Sequence, residues 1–130
     1  MNYFEPHLTP DELRAISAIG LAHMGDAVYE TLVRTWLCVH GKATGKELHR
    51  ATIALVCAQK QAELAQRVLP QLTEEELAVY KRGRNANVHA MPRSATPAQY
   101  HAAPCLMGWL YLQGDKERAE QLFHAMMEEE

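Results

Sequence analysis

Cysteine is scarce in this chain. There are three in 130 residues, Cys38, Cys57 and Cys105, an odd number with no Cys-x-x-Cys pair among them. That spacing argues against a disulfide framework or a thiolate zinc site and for a reducing, cytoplasmic setting, with the thiols read as three small buried hydrophobes. Long apolar runs are missing too. None approaches the roughly 20 residues a membrane-spanning helix needs, so no membrane partner is expected. The opening MNYFEPHLTPDEL has neither the basic flank nor the apolar stretch of a secretory signal. Proline and glycine, 6 and 7, are too few for a linker or a fibre, while 48% hydrophobic residues are too many for a disordered chain. The seven histidines form no His-Glu-x-x-His or His-x-His pattern, which argues against a zinc site, and no glycine-rich phosphate loop is present. What remains is a soluble chain of one domain, residues 1–130, long enough to bury a core.

Acids are absent where bases cluster. The formal net charge is −3, but six acids and two bases lie from Asp115 onward, ending in the acidic tail 128–130, so the first 114 residues carry +1. Between Glu76 and Asp115 there is no acid at all, and Lys81, Arg82, Arg84 and Arg93 fall in that gap. Between Glu12 and Glu47 the only acids are Asp26 and Glu30.

The hydrophobic pattern is helical nearly throughout, with no period-two run long enough for a strand and no internal repeat. Thr9-Pro10-Asp11-Glu12 reads as an N-cap, a proline at the first helical position and a capping-box glutamate. Ile16, Ile19, Met24, Val28, Leu32 and Trp36 recur at helical spacing, with a break expected near Gly20 and a stop at Gly41. Thr44 with Glu47 and Thr73 with Glu76 repeat the capping-box signature, and the helix opened by Thr44 is expected to run or kink through Val56 to Val68. Residues 86–97 read as a loop, Thr96-Pro97-x-Gln99 as a further helix start, and Asp115 to Met127 as a final amphipathic helix. The fold class is all-α, a helical bundle.

Two places could carry chemistry. Gly25-Asp26 sits in an apolar helical stretch where both residues are poor helix formers, so the helix must gain from a close approach or from the carboxylate. Asp26 and Glu30 stand at i and i+4 on one face, with His23 a turn earlier. Such an acid pair is either a solvated face or a hard oxygen site for Mg²⁺ or Mn²⁺. The second place is KRGRNANVH. Its bases either complement a helix C-terminus or, followed by Asn85, Asn87 and a long acid-free stretch, contact a nucleic-acid backbone. Without interleaved aromatics, a duplex fits better than stacked single strands.

The segments GLAHMGDAVYE, KRGRNAN and LMGWLYL, in this order and at this separation, resemble the mini-ribonuclease III family, over roughly Ile16 to Phe123. These proteins are similar to the catalytic domain of ribonuclease III without its double-stranded-RNA-binding domain. The resemblance implies an all-α homodimeric endoribonuclease that cuts double-stranded RNA with Mg²⁺, matures the ends of 23S ribosomal RNA and can be assisted by a ribosomal protein. It implies that Asp26 is the catalytic carboxylate and metal ligand, and that Lys81, Arg82, Arg84, Asn85 and Asn87 lie where RNA is contacted. Ribonuclease III proper has a Glu four residues before this Asp; here that position is Ala22, as is usual for the mini family.

One signature departs from the family pattern. The family reads approximately Glu-Ala-Leu-Ile-Gly-Tyr-Leu, whereas YHAAPCLMGWLYL places Pro104 at the glutamate once Gly108 is aligned, and the stretch from Tyr100 to Gly108 is about three residues short. The second metal-binding carboxylate is therefore missing near Pro104, and activity is expected to fall far below a family member's unless Glu30, one turn from Asp26, takes the role. The alternative expectation is an RNA-binding form of the fold with impaired catalysis.

Overall fold

The computed structural model describes residues 1–41, 44–86 and 101–128, and every regular element among them is helical. The helices are α1 (Pro10–Arg14), α2 (Ala18–Val39), α3 (Gly45–Val56), α4 (Ala58–Gln66), α5 (Glu74–Asn85), α6 (Ala102–Leu112) and α7 (Lys116–Met127), with a 3₁₀ turn at Leu69–Gln71. The all-α expectation holds.

Local chemistry explains most boundaries. Thr9 and Glu12 form the expected capping box on α1, and Thr73 and Glu76 form the one on α5. The break in the first apolar stretch falls earlier than Gly20. α1 ends at Arg14, and Ser17 restarts the chain as the N-cap of α2, its hydroxyl accepting from the Gly20 amide at 2.9 Å. Gly20 lies inside the helix it was expected to interrupt. Thr44 stands at the N-cap of α3, but its side chain makes no capping bond, so sequence spacing alone did not produce that box. The segment through Val68 is broken at Cys57, whose extended backbone (φ −61°, ψ 148°) separates α3 from α4. Gly41 follows α2 at φ +79°, the left-handed conformation that ends helices at little cost to glycine. The 86–97 loop beyond Ala86 and the helix start at Thr96-Pro97 lie outside the described residues.

α6 occupies the centre. Of its residues, Ala102 to Gly108 and Leu110 are all buried, and a helix apolar on every side must be surrounded. α2 lies along it through Leu21, Tyr29, Val33 and Leu37, α5 packs on another side, and α7 contributes Leu122, Phe123 and Met126. Each such buried leucine or phenylalanine contributes about 1.5–3 kcal/mol of transfer free energy. Cys105 is buried in this core, and burial pushes its thiol up to about 11, so it is inert. Cys38 and Cys57 are exposed, which corrects the expectation of three buried cysteines: Cys38 lies on the outer face of α2 next to buried Leu37, and Cys57 at the break between α3 and α4. No described helix is long and apolar enough to cross a membrane.

Candidate active site

Three glycines determine how closely the central helices meet. A Cβ on Gly25 would collide with the Pro104 carbonyl and the Gly108 amide, and one on Gly108 would collide with the Leu21 carbonyl. A Cβ on Gly83 would lie 2.5 Å from the His101 carbonyl and clash with the Cys105 side chain. α2 and α5 therefore both rest on the first turns of α6, backbone against backbone or nearly so. Asp26, next in the chain after Gly25, is placed beside the start of α6 by this contact, and the basic end of α5 is placed on its other side. The close approach suggested by Gly25-Asp26 in the sequence is thus what the helix gains.

Asp26 is solvent-accessible, yet the packing beneath it counts. Desolvation raises its carboxyl above the ordinary carboxylate range; His101 and then His23 oppose the rise, and Glu30 adds to it. Glu30 does not complete a pair with Asp26. It is turned to Arg34, whose Nη2 and Nε lie 2.6 and 2.8 Å from its Oε2, an i,i+4 pairing that its helix offers at no rearrangement. The expectation of Glu30 as a metal ligand thus meets a carboxylate already engaged by Arg34. The group from another element that acts electrostatically on Asp26 is His101, at the N-cap of α6, with no capping bond of its own. Nothing local in the sequence marks it, because the approach depends on Gly25 and Gly108, far apart in the chain but adjacent in space.

The basic cluster is split in its roles. Arg82 donates from Nη2 to the Ile16 carbonyl at 2.8 Å, tying α5 to the turn between α1 and α2 while leaving its other donors open. Lys81 and Asn85 are exposed, and Arg84 is half-buried beside Tyr80, a phenol whose pKa burial raises and Arg84 partly lowers. Asn87 and Arg93 lie outside the described residues.

Pro104 occupies the third position of α6, where a proline costs no helical hydrogen bond because the first-turn amides have no intrahelical partner. Its side chain is among the most completely buried in the molecule. The Mg²⁺ implied by the resemblance does not fit this donor set. Mg²⁺ demands oxygen ligands in near-octahedral array, and the described residues bring no second carboxylate to Asp26. Nor do they gather any three His, Cys, Asp or Glu side chains at ligand distance.

Residues 20–115 match the model of the ribonuclease III domain. Mini-ribonuclease 3 of Symbiobacterium thermophilum is 43% identical over 108 residues, covering 81% of this chain and 83% of that one. Mini-ribonuclease 3 of Enterococcus faecalis is 39% identical over 118 residues, covering 87% and 89%. The crystal structure of a protein from Fusobacterium nucleatum superposes with a TM-score of 0.75 at 27% identity, covering 87% of this chain and 93% of that one. Fold, domain match and relatives agree: the chain belongs to the ribonuclease III family of endoribonucleases, in the company of the mini-ribonuclease 3 proteins.

Proposed function

We propose that the chain is an endoribonuclease acting on double-stranded RNA, with Asp26 at the reacting phosphate and the C-terminal end of α5 on the backbone. The observation that carries this reading is the convergence of Asp26 and the Lys81–Asn85 segment on the two sides of the α6 N-terminus, brought about by Gly25 and Gly83. Lys81, Arg82 and Arg84 neutralise phosphates, while Asn85, with Asn87, offers an amide to sugar or phosphate oxygens. The family resemblance extends the reading to the ends of 23S ribosomal RNA precursors, to a ribosomal protein as helper and to the cytoplasm. It also extends it to a homodimer.

A second reading, a duplex-RNA-binding form with impaired catalysis, is favoured by one specific feature: buried Pro104 at the position of the family glutamate. One experiment separates the two. A labelled RNA duplex is incubated with the chain and with Asp26→Asn, with added divalent cation and with chelator. Cutting that Asp26→Asn lacks supports the first reading. Binding without cutting supports the second, and cutting retained by Asp26→Asn removes Asp26 from the site.

A further inference from the structure

On α5, Glu75, Ala78, Val79 and Arg82 stand at i, i+3, i+4 and i+7, one face of the helix. This face lines a cleft of about 260 Å³ whose other walls are α1 and the end of α6. The floor is apolar, with Val79 buried and Trp109 half-buried. Among the described residues, the side-chain hydrogen bonds on the walls are those of Arg82 to the Ile16 carbonyl and of Arg14 to Asp11. The indole N–H of Trp109, the Gln113 amide and the Glu75 carboxylate make none there.

We propose that this cleft binds one unpaired nucleotide of RNA next to the duplex that α5 contacts, its base against Trp109 and its phosphate at Arg82. The inference rests on the reading of the basic end of α5 as an RNA contact and names a further feature of that RNA. Arg82 belongs to both surfaces, so the cleft continues the basic end of α5. Arg14 on the facing wall is paired with Asp11, which leaves Arg82 as the uncompensated cation of the cleft and sets the phosphate at that end.

Glu75 and Arg82 lie two turns apart, about 10 Å along the helix axis. That polarity matches a single nucleotide: the phosphate meets the guanidinium, and the N–H groups of the base edge meet the carboxylate. A second phosphate would meet Glu75 instead, so a duplex backbone is not expected to run along the cleft. An unpaired base can stack on an aromatic ring and offer its edge for hydrogen bonds, which a base inside a duplex cannot. The aromatic that the basic segment lacks in the sequence is supplied by the fold. Trp109 is far from Arg82 along the chain and comes to the same cleft through the packing of α5 on α6.

The test uses the full chain carrying Trp36→Phe, so that Trp109 is its one tryptophan, with chelator present to prevent cutting. Affinity and tryptophan emission are measured with a blunt RNA duplex and with the same duplex bearing a short unpaired extension at the 3′ or the 5′ end. One extended form is expected to bind about tenfold more tightly than the blunt duplex and to quench Trp109, while the blunt duplex leaves the emission unchanged. Trp109→Leu and, as an exposed change that spares the core, Glu75→Gln are each expected to remove most of that preference and to leave blunt-duplex affinity as it was. Labelled-RNA anisotropy reads both variants, and circular dichroism checks their helicity. Equal affinity for blunt and extended duplexes overturns the proposal, as does a preference kept in either variant. If neither duplex binds, the RNA reading of α5 falls and the cleft falls with it; if the blunt duplex binds and the extension adds nothing, the cleft falls alone.

Discussion

The two ends of α5 treat charge in opposite ways. At the N-terminus everything is matched inside the protein. The Thr73 hydroxyl accepts from the Glu76 amide at 3.1 Å, and the Glu76 carboxylate accepts from the Thr73 amide at 2.9 Å. Arg118, reaching across from α7, donates from Nε and Nη2 to both Glu76 oxygens at 2.8 and 2.9 Å, and from Nη2 to the Gln71 carbonyl at 3.0 Å. The Glu76 side chain is only 7% exposed, and these donors, Arg118 foremost, hold its carboxyl below the ordinary range despite burial. At the C-terminus Lys81, Arg82 and Asn85 are exposed and Arg84 is half-buried, and among the described residues only the Arg82–Ile16 hydrogen bond engages a guanidinium there. One end has its charge satisfied and serves stability; the other leaves its charge for an external partner.

That contrast can be broken at graded cost. The largest effect is expected within the basic C-terminal end itself, where Gly83→Ala would force a Cβ into the His101 carbonyl and the Cys105 side chain. Neither end can then keep its place, and a loss of about 3 kcal/mol or more is expected in chemical denaturation. Next comes Glu76→Gln, which leaves Arg118 without its counter-charge. It should cost about 2–3 kcal/mol, below the full value for a buried pair because Arg118 is 23% exposed. The pH dependence has a definite sign. With the folded pKa depressed, Glu76 stabilises the fold fully above its unfolded value of about 4.3, and that contribution is lost as pH falls through the lower folded value. In Glu76→Gln this part of the acid limb should flatten.

At the other end, Arg82→Glu with Arg84→Glu should leave stability within about 1 kcal/mol. It should weaken duplex RNA by about tenfold or more and reduce the salt slope by about 2. Unchanged binding would mean that the outward charge serves no RNA contact. The smallest effect sharpens the comparison between two threonines of the same apparent motif. Thr73→Ala should cost about 1 kcal/mol through its lost cap, whereas Thr44→Ala, with no cap bond to lose, should be nearly silent in thermal denaturation.

Those threonines also show what was legible in the sequence. Helical periodicity, the boxes at Thr9 and Thr73 and the stop at Gly41 are local and were readable; a capping box at Thr44 was equally readable and did not form. Asp26 and the basic segment were legible because composition isolates them. The Glu76–Arg118 pair was not, since a capping glutamate and one of two bases at the start of α7 give no sign of meeting across two elements. Glu30 was legible in part: its proximity to Asp26 along α2 gave no sign of the competing claim of Arg34 one turn further on. His101 became visible only when α2 and α5 were docked on α6.

The glycine contacts carry a consequence for how such a protein can change over generations. Because α2 meets α6 through main-chain atoms at Gly25 and Gly108, the gap between Asp26 and the start of α6 does not depend on the bulk of any side chain. Leu21, Leu106 or Leu110 can be exchanged for other apolar residues, with the core repacking around them, while that gap stays the same. Core and edge are thereby uncoupled: the interior is free to drift in composition, and the chemistry at the rim is exposed to substitution only through three small positions and the residues that stand beside them.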